Sequence, residues 1–214
     1  MHLTEAEARL VEARTAELER HAGVQVLAVV VGRADAYPEI PWKAFALGTA
    51  AALLAAFVAA WLRQGWSGAE LSVLEAALVL CTGGAAALAA AYVPPFARLF
   101  LDRDRAHAEV RQYADAMFLA RGLHGTAGRV GILLLISLFE REVVIRCDRG
   151  VTARVPDAGL EPVIAAMTPP LKRGAVADAL LEGLAALERL LRARGFPKGG
   201  PDEIADELVQ EKGR

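Results

Sequence analysis

Two long apolar runs, lying between Trp42 and Val93, constrain this chain more than any other feature. Ala44 to Leu62 (AFALGTAAALLAAFVAAWL) carries no charge over about 19 residues. At ~1.5 Å per residue, a helix of that length crosses a ~30 Å hydrocarbon layer. Leu71 to Val93 carries one charge, Glu75, a turn inside its start. The tip between them, RQGWSGAE, is too short to fold by itself, so residues 41–96 read as a transmembrane hairpin. Two buried helices of a soluble domain are the alternative, but nothing else in the chain is large enough to wrap both on all sides. Trp42, Trp61, Trp66 and Tyr92 stand near the segment ends, where amphipathic rings favour the headgroup zone.

The rest of the chain is long enough for one soluble domain. Apolar content of 55% is high, and the hairpin accounts for the excess. A net charge of −2 supplies no broad basic surface, so nucleic acid is not an expected partner. The two cysteines, Cys81 and Cys147, suggest neither a disulfide framework nor metal-ligand spacing. The opening MHLTEAEARL lacks the basic and apolar regions of a signal peptide. Arg33, Lys43, Arg98, Arg103 and Arg105 flank the open ends of the hairpin and only Arg63 its tip. A two-span inner or plasma membrane protein with both flanking parts in the cytoplasm is therefore expected.

Thr4 and Glu7 form a capping box for a first helix that Gly23 stops, with Leu3, Ala6, Leu10, Ala13 and Leu18 as its approximate apolar face. VQVLAVVV at 24–31 reads as a strand buried on both faces. Beyond Pro94-Pro95, Asp102 or Asp104 caps a helix to Arg121 whose inner face is Ala106, Val110, Tyr113, Ala114, Met117 and Phe118. Val130 to Leu138 is a second buried strand. A turn at Glu140-Arg141 leads into a third, more exposed strand ending at Asp148-Arg149-Gly150. A short helix from Pro156 to Met167 is expected to stop at TPP. From Gly174 to Arg194, Val176, Leu180, Leu184, Leu187 and Leu191 line the strongest amphipathic stripe. The fold class is then α/β: residues 1–40 and 97–214 form one discontinuous cytoplasmic domain, its two apolar strands parallel neighbours, with 196–214 a polar, mobile tail.

Few residues suggest chemistry. The loop Gly122 to Arg129, with Gly125, Thr126 and Gly128, could cradle a phosphate beside Arg129. Phosphate loops open a helix, however, and this one closes one, so a plain connection is the simpler reading. Asp148 and Arg149 lie at a strand end where a site could form, or in a turn that needs Gly150 for positive φ. Asp102, Asp104 and Asp148 could share a metal, although helix capping explains the first two more simply. His107 borders the buried face of its helix and is expected to pack there, with a base or ligand as the alternative. No spacing proposes a catalytic triad. Glu75 could serve a proton path or hydrogen-bond across the hairpin, or snorkel to water. Gly83-Gly84 and the surrounding alanines allow close helix packing, within the hairpin or between copies.

At Gly122 to Val151, GLHGTAGRVGILLLISLFEREVVIRCDRGV, the chain resembles the TPM-domain family, in particular its bacterial branch with a transmembrane hairpin inserted in the domain. Gly122, Leu123, Thr126, Arg129, Gly131, Ser137, Glu140, Arg141, Asp148, Arg149 and Gly150 carry the likeness. The chain departs from the pattern at Val130 and at Arg146-Cys147. The resemblance implies a small α/β/α sandwich. Plant relatives are linked to photosystem repair and weak acid phosphatase activity, animal relatives are auxiliary subunits of receptors, and some bacterial members bind calcium through acidic residues. Those members carry an aspartate ahead of the first helix, where this chain has Met1-His2-Leu3. The expectation is a membrane-anchored, non-enzymatic interaction domain that assists assembly or quality control of membrane complexes. Its partners would be the lipid bilayer and other membrane proteins or further copies of itself. No cofactor is expected, although the resemblance admits calcium. A weak phosphatase using Asp148, Arg149 and Arg129, and a self-associating membrane scaffold, are the alternatives.

Overall fold

The computed structural model describes residues 3–63, 69–199, 204 and 207–213. Its elements, in order, are α1 (Glu5–Ala22), β1 (Gln25–Val31), α2 (Glu39–Arg63), α3 (Ala69–Tyr92), α4 (Pro94–Ala97), α5 (Arg103–Ala120), β2 (Gly131–Ser137), β3 (Glu142–Cys147), α6 (Arg149–Thr152), α7 (Glu161–Lys172), α8 (Val176–Ala193) and β4 (Val209–Glu211). They divide into two units, residues 1–35 with 107–214, and residues 36–106.

The first unit is an α/β/α sandwich on a sheet of order β3-β2-β1-β4. Strand β1 runs parallel to β2, with Gln25 opposite Gly131 and Val31 opposite Ser137. Both strands are buried at every position. Apart from Gln25 and Ser137 at their ends, both are apolar, because a strand covered on both faces has no side to leave polar. Val26, Ala28, Val30, Ile132, Leu134 and Ile136 join a core with residues of α1, α7 and α8. Leu27, Val29, Val31, Leu133 and Leu135 join the opposite core with Val110, Ala114 and Met117 of α5. A fully buried aliphatic side chain contributes roughly 1.5–3 kcal/mol, so these two strands contribute heavily to the stability of the unit.

Helix α1 begins with the expected capping box, the Thr4 amide donating to Glu7 Oε2 at 2.8 Å, and ends at Gly23 with φ 56°. Its buried face differs from the expected one. Val11, Thr15, Leu18 and Ala22 point inward, whereas Leu10 is exposed. Thr15 tolerates burial because its hydroxyl donates to the Val11 carbonyl at 3.0 Å.

Three further expectations are corrected. Helix α7 runs through Pro169 and Pro170 to Lys172 rather than stopping at TPP. The prolines sit in its last turns, their fixed φ suits a helix, and Met167 and Pro170 are buried. The tail from residue 196, expected to be mobile, supplies β4, which pairs parallel with β1 through Val29–Val209 and Val31–Glu211. Leu208, Val209 and Phe196 are buried, which anchors a stretch whose overall composition is polar. His107 is not packed inward. It is exposed, and its Nδ1 meets Glu142 Oε1 while Arg111 lies 3.4 Å from its Nε2.

In the second unit α2 and α3 pack together as a hairpin. Glu39–Leu62 and Ser72–Tyr92 are long and apolar enough to cross a membrane, and no residue in the most apolar stretch of the first is buried. Gly48 and Gly83 allow the close approach. A Cβ on Gly48 would come within 2.9 Å of the Ala86 Cβ, and one on Gly83 within 2.2 Å of Thr49 Oγ1, whereas Gly84 faces open space. Trp42, Trp61 and Tyr92 are exposed and Glu75 is half-buried. Trp66 lies outside the described residues.

Candidate functional site

The polar residues of the 122–151 run separate to opposite ends of the sheet. At the end where β2 begins and β3 finishes, Leu123–Gly125 form a single 3-10 turn after the left-handed Gly122. The Gly125 amide donates to Gly122 O at 2.8 Å and the Arg129 amide to Thr126 O at 2.9 Å. Thr126, buried, accepts from the Val130 amide at 3.0 Å. Arg129 itself adopts φ 51°. Two of the loop's amides thus donate to its own carbonyls and a third to its own threonine hydroxyl.

Against this loop rests Asp148-Arg149-Gly150, where Gly150 lies in α6 and does not take the positive φ expected of it. The Asp148 amide donates to Gly131 O at 2.9 Å and the Gly150 amide to Arg129 O at 2.8 Å. Asp148 Oδ1 accepts from the Arg149 amide at 2.7 Å and so caps α6. Its other oxygen, Oδ2, is buried with no partner among the described residues. A buried acceptor left unpaired carries an energetic cost, which makes it the one oxygen here suited to a further donor. Arg129 and Arg149 are both exposed, and neither side chain forms an ion pair among the described residues. Cys147, the last residue of β3, is held toward its neutral thiol form. Burial, with Asp157 adding to it and Arg146 opposing, pushes its thiol up to about 12.

Asp102 Oδ1 accepts from the amides of Asp104 and Arg105, at 3.0 and 3.1 Å, and begins α5. Among the described residues no three of His, Cys, Asp and Glu gather into a metal-holding group. A calcium ion takes six to eight oxygens, and the carboxylates described do not converge into such a set.

At the other end of the sheet Glu140 closes the β2–β3 turn. Its Oε1 accepts from the Ala34 amide at 2.9 Å, and its Oε2 from the Ser137 hydroxyl. Arg141 takes φ 58° in that turn, and the Arg33 guanidinium lies 3.9 Å from the centre of the Phe139 ring.

Sequence reasoning overlooked a third polar cluster, between α1 and α8. Glu188 receives His21 Nδ1 at 2.8 Å on Oε1 and Arg14 Nη2 on Oε2, and Arg14 also reaches Glu17 at 2.6 Å. The available signal was a glutamate directly beside the apolar stripe of α8, where a charge requires partners.

Residues 89–190 match the TPM domain family profile. No curated protein matches the chain. Among solved structures, the chain is similar to the BA42 protein of the psychrophilic bacterium Bizionia argentinensis, determined by NMR. The two are 13% identical with a TM-score of 0.58, over 98% of this chain and 96% of that one. At that identity the likeness concerns the fold alone.

Proposed function

We propose that this chain, whose residues 89–190 match the TPM domain family profile, is a membrane-anchored, non-enzymatic interaction domain that assists assembly or quality control of membrane complexes. The observation that carries this reading is the apolar surface of α2, none of whose most apolar stretch is buried, in a chain whose motif side chains mainly hold its own turns. A bilayer accepts such a surface without cost, whereas water does not. The sandwich then supplies the face that partners meet. Alkaline carbonate should leave the protein in the membrane fraction. A pull-down in mild detergent should recover a defined membrane complex whose assembly falters when the chain is removed. Release by carbonate, or complexes that assemble equally well without the chain, would count against the reading.

One observation favours a second reading, a weak phosphatase. The unpartnered Asp148 Oδ2 lies in a turn bounded by two exposed arginine residues, Arg129 and Arg149. Phosphoryl transfer requires stabilisation of the transferring group together with a positioned water or nucleophile. The expected outcome is no turnover of a generic phosphate ester that depends on Asp148, with calcium, magnesium or chelator present in turn. Metal-dependent turnover lost in a folded Asp148→Asn variant would promote the phosphatase above the interaction domain.

A further inference from the structure

Among the described residues strand β3 pairs on one side only, with β2 and no other strand, so its second edge is open over six residues. The opposite edge, β4, is only three residues long, and short edge strands discourage further pairing. EVVIRC contains no proline, a residue that commonly blocks an edge.

The phase of the ladder fixes what that edge offers. The Asp148 amide bonds to Gly131 O, and the register continues through Arg146–Leu133, Val144–Leu135 and Glu142–Ser137. In an antiparallel pair, bonded and non-bonded positions alternate. The amides and carbonyls of Val143 and Ile145 therefore point away from β2. On the α5 face, Glu142 and Arg146 lie two residues to either side of Val144. Their signs are opposite, and each retains capacity. Arg146 directs Nη2 to Asp115 Oδ2 at 2.6 Å and Nε to Oδ1 at 2.5 Å, which leaves Nη1. Glu142 meets His107 through Oε1, which leaves Oε2.

We propose that β3 pairs with the same strand of a second copy, antiparallel, about a two-fold axis at Val144. In that register Val143 and the partner's Ile145 exchange both backbone hydrogen bonds, as do Ile145 and the partner's Val143. Glu142 then faces the partner's Arg146, and Arg146 faces the partner's Glu142. A two-fold at Ile145 would instead set Glu142 against the partner's Asp148, two like charges. One at Val143 would set Arg146 against the partner's Glu140, whose carboxylate already holds Ser137 and Ala34. Charge complementarity thus selects one register, and an isologous contact of this kind closes as a dimer. The proposal concerns the sheet edge, and it holds whether or not the hairpin lies in a bilayer.

The test uses the full chain in mild detergent, with Cys81→Ala and Cys147→Ala as background. Facing positions in a non-bonded pair lie about 4.5 Å apart between Cα atoms, within disulfide reach. Val144→Cys should therefore give a disulfide dimer on mild oxidation. Glu142→Cys alone should not, because its two copies would stand four residues apart, roughly 14 Å. Glu142→Cys mixed with Arg146→Cys should crosslink. Glu142→Arg and Arg146→Glu should each weaken dimerisation about tenfold, and the double reversal should restore it, with circular dichroism confirming the fold. A monomeric wild type, a dimer without the Val144 crosslink, or a crosslink at Glu142→Cys alone would overturn the proposal.

Discussion

A methyl group added at Gly150 would come within 2.5 Å of the Gly128 carbonyl oxygen and 2.6 Å of that of Arg129. Both obstacles are backbone, which yields less readily than a flexible side chain. We expect Gly150→Ala to destabilise the protein by about 1–3 kcal/mol, read as a lower urea midpoint. Beside it, Asp148 should tolerate change according to what its cap requires. Asparagine keeps an acceptor for the Arg149 amide, so Asp148→Asn should alter stability little. Asp148→Ala should cost about 0.5–2 kcal/mol. An Asn variant as damaged as the Ala variant would show that the buried charge, not the cap, is what matters. The sequence made these positions legible as a polar run with turns at both ends. The run could not reveal that Thr126 and Asp148 lie at one end of the sheet and Ser137 and Glu140 at the other, because that separation depends on the length of β2. Nor could it show the orphan Oδ2 of Asp148, because burial of one carboxylate oxygen depends on the folded surroundings.

Whether an element was legible depended on how far its pattern reported its surroundings. Strands β1 and β2 are apolar except for Gln25 and Ser137 at their ends because both faces are covered, and α8 displays its stripe because a single face is. Strand β4 escaped notice for the converse reason. Its three residues include one buried valine, and pairing with β1, not hydrophobic periodicity, orders it. Shortening the chain after residue 195 should bare that side of β1 and promote aggregation, measurable by light scattering. Helices α1 and α8 are joined by Glu188, and here the sign of a pH effect can be worked out. Burial alone would raise its carboxyl, but hydrogen bonds from His21 and Arg14, with their charges, outweigh that and hold it below the usual range. A carboxyl depressed in the folded state contributes stability above its unfolded value, and the contribution disappears as pH falls through the folded one. Stability should therefore decline as acid protonates Glu188, and Glu188→Gln should flatten that part of the pH profile while lowering stability at neutral pH.

For the whole molecule the hairpin raises a question of sidedness that charge can answer. Arg33, Lys43, Arg98, Arg103 and Arg105 flank its open ends, and Arg63 is the single basic residue at its tip. Lysine and arginine near short loops resist translocation, so the basic ends should remain in the cytoplasm and the tip should cross. Both pieces of the sandwich then stay on one side, as they must, since β1 precedes the hairpin and its neighbour β2 follows it. A single span, or an odd number, would separate two strands that pair along seven residues. The pairing therefore demands an even number of crossings, and the charges choose which side. A cysteine introduced at Ser67, in a Cys81→Ala and Cys147→Ala background, should react with an impermeant thiol reagent on intact cells. One introduced at Lys212 should react only after the membrane is opened. The reverse pattern would place the sandwich outside, and labelling of both positions on intact cells would mean that the hairpin does not cross.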